Sequence, residues 1–203
     1  MFEDIYRTIK APSQGVYKEK GSKFLAFAFP VTTETEVKTH LETLRKQYFD
    51  ARHHCYAYIL GPDKAAYRLN DDGEPSSTAG RPIFGQLQSL NLTNILVVVV
   101  RYFGGIKLGV PGLINAYRTA ARDALDSAII VEKYVTEVYN IKFDYNAMNN
   151  VMKIIKDENL PQSNQKFELE CSLDFKVRQT DSVRVCDAFI KIKDLKLTLL
   201  RVE

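Results

Sequence analysis

With 203 residues, 45% of them hydrophobic and 26% charged, the chain has the makeup of a folded globular protein with one large domain or two small ones. The formal charge of +3 is too mild to mark a dedicated nucleic-acid binder, and three scattered cysteines without a CxxC pair exclude a zinc ribbon or a disulfide scaffold. No apolar run of about 18 residues spans a membrane, and the opening MFEDIYRTIK lacks a signal-like core, so a cytoplasmic protein with buried thiols is expected.

Taken in order, residues up to Pro12 form a surface or edge segment. Two strands follow, Gly15–Lys20 and Lys23–Val31, with Gly21-Ser22 as a hairpin turn between them. Thr33-Glu34-Thr35-Glu36 has capping-box spacing and opens a helix to about Phe49. Its buried stripe is Val37, Leu41, Leu44 and Tyr48. Ala51–Leu60 reads as another strand, with His54, Tyr56 and Tyr58 on one face and His53, Cys55, Ala57 and Ile59 on the other. Adjacent strand histidines point oppositely and do not share a metal; hydrogen bonds to a nearby loop, or a phosphate or proton contact, suit His53 and His54 better.

A polar connection carrying Tyr67, Arg68 and Asn70 leads to the glycine loop DDGEPSSTAG. Asp71, Asp72 and Glu74 could hold Mg²⁺ for phosphoryl chemistry, but Asp72-Gly73 as a turn with Glu74-Pro75 as its rigid exit is favoured, and no metal or cofactor is assigned. Ser76, Ser77 or Thr78 is expected to cap the next helix, which runs toward Ser89. Ile95–Val100, six consecutive apolar residues of which four are valine, predicts a central strand covered on both faces. That strand delivers Arg101 and a second loop, RYFGGIKLGVPG, to the sheet edge, where backbone N–H groups can collect an anion. A helix follows, buried along Leu113, Ala116, Tyr117, Ala120, Ala121, Ala124 and Leu125, with Arg118 and Arg122 on its polar side.

These loops resemble the signature of the YigZ/IMPACT family: Asp72-Gly73-Glu74-Pro75, Thr78-Ala79-Gly80-Arg81-Pro82-Ile83, Val100–Gly109, Gly112-Leu113 and Ala116-Tyr117. Ser77 and Pro111 depart from the glycines of many relatives and imply stiffer loops. The resemblance implies an α+β fold in two domains. The first is similar to the second domain of small-subunit ribosomal protein five and to domain IV of elongation factor G, the second to that factor's ferredoxin-like domains. It also implies work through binding, since eukaryotic members regulate translation by competing for a co-activator of a stress kinase.

Glycine is confined to residues before 113, and six of seven prolines precede Ile129, which places a domain boundary at 131/132. Residues 132–203 carry 12 Lys/Arg and 12 Asp/Glu, so the whole positive excess lies in the first domain. The second domain reads βαββαβ, with a hairpin near Gln162–Gln165. Phe167, Leu169, Cys171, Leu173, Phe175 and Val177 are expected against the helices; Glu168, Glu170 and Asp174 on the opposite face argue against RNA there.

Three functions remain. The favoured one is a non-catalytic binder of RNA, the ribosome or a protein partner in translation control. Its anion or nucleic-acid site comprises Arg68, Arg101, Gly104, Gly105, Lys107, Gly109 and Arg118, beside the signature residues Asp72, Gly73, Glu74, Pro75, Thr78 and Gly80. An enzyme of small phosphorylated substrates ranks second because no nucleophile–base pair can be named. A protein-interaction adaptor is third.

Overall fold

Ile95–Val100 lies at the heart of the sheet that organises the first two-thirds of the chain. The computed structural model describes residues 4–168 and 170–203. Strand β6 (Ile95–Tyr102) is central in a five-stranded sheet of β2 (Ser13–Glu19), β3 (Ser22–Pro30), β4 (His53–Leu60) and β5 (Ala66–Asn70), in the order β2-β3-β6-β4-β5. Every neighbour pair is antiparallel. The run is apolar on both sides because helices cover both. Ile95, Val97 and Val99 pack with Ile83 and Leu87 of α2 (Gly80–Ser89) and Leu113, Ala116 and Tyr117 of α3 (Gly109–Asp126). Leu96, Val98 and Val100 pack with Val37, Leu41 and Leu44 of α1 (Glu34–Gln47). The result is an α/β/α sandwich.

Local signals hold where they are self-contained. The β2–β3 turn forms one residue earlier than the expected Gly21-Ser22: Lys20 and Gly21 take positive φ, 45° and 78°, as a two-residue hairpin turn between twisted strands requires, and Ser22 already belongs to β3. Thr33 and Glu36 form the reciprocal capping box of α1. Two other expectations fail. Residues 66–70 are not a connection but the edge strand β5, paired to β4 from Tyr56↔Asn70 to Leu60↔Ala66. A five-residue strand exposed over most of its length lacks the apolar alternation that would betray it. Nor is α2 capped by Ser76, Ser77 or Thr78. The Asp71 carboxylate accepts hydrogen bonds from the N–H groups of Ser77 (2.8 Å), Ala79 (3.0 Å) and Gly80 (2.8 Å), while Thr78 Oγ1 donates to the Pro75 carbonyl. The loop folds back on itself, so a residue nine positions upstream meets the orphan donors and puts negative charge at a helix start.

The remaining strands are β1 (Ile5–Ile9), paired with β7 (Ile130–Tyr134), and β8 (Thr136–Asp144), β9 (Gln162–Phe167), β10 (Glu170–Arg178) and β11 (Lys196–Val202), ordered β11-β8-β10-β9. With α4 (Met148–Asp157) and α5 (Gln179–Ile190) the latter form a βαββαβ ferredoxin-like plait. Its core includes Ile141, Phe143, Val151, Ile155, Leu173, Phe175 and Phe189. The expected hairpin at 162–165 is instead a bulge within β9: Asn164 takes φ 50°, and the register shifts opposite Ser172–Asp174. The chain reverses around Glu168. Phe167 pairs with Cys171 yet is 49% exposed, because it ends an edge strand; Leu169 lies outside the described residues.

Two compact units result, Tyr6–Lys133 and Tyr134–Glu203, the latter with Asp4 and Ile5. The division falls inside β1 and β7, so the compositional cut assigns Asp4 to the other unit. Asp4 accepts two hydrogen bonds from the Arg178 guanidinium, 2.5 and 2.7 Å, and one from Thr180 Oγ1 at 2.9 Å. Among the described residues, no helix is long and apolar enough to cross a membrane.

Candidate functional site

The two glycine loops meet at one end of the five-stranded sheet. Pairing His53↔Arg101 across β4 and β6, and Phe24↔Arg101 across β3 and β6, sets Arg101 between a histidine and a phenylalanine on the face that α3 covers. Its guanidinium carbon lies 5.4 Å from the Phe24 ring centre and 5.6 Å from that of Phe103. Arg101 Nη1 donates to Glu74 Oε1 at 2.5 Å, and the same oxygen accepts from the Tyr117 hydroxyl at 2.8 Å. Among the described residues, both donors to this carboxylate are side chains. Glu74 neutralises a cation and ties the first loop to β6 and α3. Arg101 is 6% exposed, and its Nε has no hydrogen-bond partner among the described residues.

Each loop is fixed by its own backbone. Asp72 and Gly73 take φ 41° and 86°, and the Glu74 N–H donates to the Asp71 carbonyl, closing the expected tight turn. Asp72 is used inside the protein: its carboxylate accepts from the His54 N–H at 2.7 Å and lies 3.5 Å from Arg45. Ser77 sits at φ 64°, a left-handed position of the kind glycine adopts without strain. In the second loop, a Cβ on Gly104 would lie 1.9 Å from the Gly21 carbonyl carbon, so only glycine lets the loop rest on the β2–β3 turn.

Between the loops lies a cleft of 440 Å³, lined by Arg52, His53, Glu74, Pro75, Arg101, Phe103, Lys107, Leu108, Gly109, Val110 and Leu113. Its wall is largely apolar, with Arg52 and Lys107 exposed. The start of α3 opens onto it, and no side chain caps that helix. His53 Nδ1 is 2.9 Å from the Asp72 carbonyl oxygen, which can only accept, so Nδ1 carries the proton. His53 Nε2 lies 4.0 Å from Glu74 Oε1. The lining contains no serine, threonine or cysteine. Among the described residues, no group of three or more His, Cys, Asp or Glu side chains is arranged to hold a metal ion.

Of the residues the sequence proposed, His53, Glu74, Pro75, Arg101, Lys107 and Gly109 line this cleft. Gly104 and Gly105 shape the loop above it, and Gly73 and Gly80 the loop below. Three others lie elsewhere. Arg68 is on edge strand β5 opposite Tyr58, Arg118 lies beside a separate groove with Arg81, and His54 packs on the opposite face of the sheet beneath α1. Sequence reading also missed Arg52, Tyr117 as a polar group, and Cys55, whose Sγ lies 3.0 Å from the Asp71 carbonyl oxygen and 3.3 Å from Tyr117 Oη. An apolar helical stripe does not reveal that one of its tyrosines ends on a buried carboxylate.

A two-unit α+β protein with paired glycine loops beside a basic, apolar cleft is thus defined. The Impact N-terminal domain family matches residues 20–125, a span that holds both loops. The chain is similar to the IMPACT family member YvyE of Bacillus subtilis, 34% identical over 152 residues that cover 75% of this chain and 70% of that protein. It is also similar to YigZ of Escherichia coli, 33% identical over 147 residues, covering 71% and 72%. Among solved structures, a crystal structure described as that of a hypothetical protein superposes with a TM-score of 0.76 at 27% identity, covering 99% of each chain. The chain belongs to the IMPACT family.

Proposed function

We propose that this chain is a non-catalytic, cytoplasmic regulatory protein linked to translation, and that the cleft between its glycine loops receives an anionic group of an RNA or ribosomal partner. Family membership supports the link to translation, through the regulatory role that the resemblance attaches to eukaryotic members. The observation that carries the binding reading is the uncapped start of α3 opening between Arg52 and Lys107. Orphan N–H donors and two solvated cations favour an anion, and the neighbouring Phe103 and Val110 offer apolar contact to whatever carries it. Arg101 does not serve as a free cation here, because Glu74 already neutralises it. The three free cysteines fit a reducing compartment. An enzyme of small phosphorylated substrates has His53 Nε2 in its favour, but the cleft lining supplies no hydroxyl or thiol for it to activate.

The test is binding of a labelled single-stranded oligouridylate across a salt series. Affinity should fall as salt rises, through counterion release, and Arg52→Ala with Lys107→Ala should weaken binding and flatten the slope by about one unit per lost phosphate contact. Binding that is absent at low salt, or indifferent to both changes, would refute the RNA reading.

A further inference from the structure

The arginines that lie apart from the cleft form a second arrangement. Strand β5 ends the five-stranded sheet, so its outer edge is free to pair with another extended chain. Register places Tyr67 and Leu69 on the side of Ala57 and Ile59, toward α2 and α3, and Arg68 on the other side with Tyr58. Tyr67 packs on Phe84 of α2 with ring centres 5.2 Å apart, and the two residues are part of the wall of a groove of 840 Å³ beside the strand. Arg81 at the start of α2 and Arg118 on α3 line the same groove, which has no aspartate or glutamate in its lining. The arginine ion pairs among the described residues are those of Arg45, Arg101, Arg122, Arg178, Arg184 and Arg201, and none involves Arg68, Arg81 or Arg118.

We propose that β5 and this groove form a docking surface for an extended acidic segment of a partner protein, which adds a strand to the edge of β5. The strand edge supplies main-chain hydrogen bonds, Tyr67, Leu69 and Phe84 take alternate apolar side chains, and the three arginines select carboxylates on both faces of the added strand. Charge decides the occupant. A second copy paired antiparallel about the middle of β5 would set Arg68 against Arg68, which is repulsive. A nucleic acid would answer the arginines but leave the strand's N–H and C=O groups without partners. This inference concerns a surface separate from the cleft and does not rest on the reading given for it.

The test uses the full chain and a terminally blocked peptide of about six residues, the length of an average strand, in the order Asp-Asp-Val-Val-Asp-Asp, so that each face of the added strand carries carboxylates on either side of a valine. Its controls are the same peptide with lysine for aspartate and an oligouridylate. The acidic peptide should bind, slow amide exchange over Ala66–Asn70, and bind about tenfold more weakly to the Arg81→Glu/Arg118→Glu variant. That variant should keep the native exchange pattern of β6 and the oligouridylate response of the cleft. Equal binding of the lysine peptide, binding without protection of 66–70, displacement by the oligouridylate, self-association through β5, or no binding at all would each overturn the proposal.

Discussion

Glu74 and Arg101, 27 positions apart, form an ion pair of 2.5 Å with side chains only 4% and 7% exposed. A charge placed so deep is tolerated because its partner is equally deep; removing either one leaves the other stranded. Glu74→Gln keeps an acceptor but loses the charge, so it should cost about 1–3 kcal/mol, and Glu74→Ala about 3–5 kcal/mol, in urea unfolding. The double change Glu74→Leu with Arg101→Met should recover much of the loss. A Glu74→Gln protein with unchanged stability but abolished ligand binding would instead place Glu74 among the groups that touch the ligand.

Tyr117 and Cys55 extend this pair into the core. Burial pushes the Cys55 thiol and the Tyr117 hydroxyl well above their ordinary ranges, so both stay protonated at neutral pH. Cys55 should therefore resist alkylation in the native protein and react only after unfolding. Tyr117→Phe removes a donor to Glu74 and should cost about 1 kcal/mol of stability. Alkylation of native Cys55 at the rate of a free thiol would show that the network opens readily.

His54 gives the fold a pH response. Burial pulls its pKa below the ordinary histidine value, against the opposing attraction of Asp72. The unfolded chain then takes up this proton at higher pH than the folded one, so stability falls as pH drops from about 6.5 toward the lower folded value. Unfolding free energies from pH 7 to 5 should show this slope, and His54→Leu should reduce it. Equal slopes in the two proteins would mean that His54 titrates normally.

Asp4 acts on the acid side. The hydrogen bonds from Arg178 hold its pKa at about 2, so its contribution is present above the ordinary carboxylate range near 4 and is lost as pH falls toward 2. Arg178 keeps 38% of its side chain in water, so solvent screening keeps the pair's contribution to stability small. Asp4→Asn should speed amide exchange around Arg178–Thr180 while leaving β6 unchanged. An identical exchange pattern in that variant would show that the pair contributes nothing to the second unit.

We propose that the units Tyr6–Lys133 and Tyr134–Glu203 fold independently. A fragment ending at residue 133 contains the whole five-stranded sheet with α1, α2 and α3, and should unfold cooperatively by circular dichroism. A fragment without native ellipticity would sink the division.

Much of this fold is written locally. The apolar run Ile95–Val100 determined a strand covered on both faces, the Thr33–Glu36 spacing determined where α1 begins, and the seven buried positions of α3 follow its helical period. The alternation of β4 likewise separated His53 from His54, and only His53 reaches the cleft. What tertiary structure decided are meetings between segments. Asp71 caps a helix that serines and a threonine adjoin, β5 becomes a strand by pairing with β4, and Asn164 makes a bulge where turn residues suggested a hairpin. The cations show this most plainly. Arg68, Arg101 and Arg118 are alike as residues in a basic region, yet Arg101 is enclosed beside Glu74 while the other two stand in water near an open strand edge. Charge along a sequence is additive, whereas the role of each charge depends on what the fold places within a few ångströms of it.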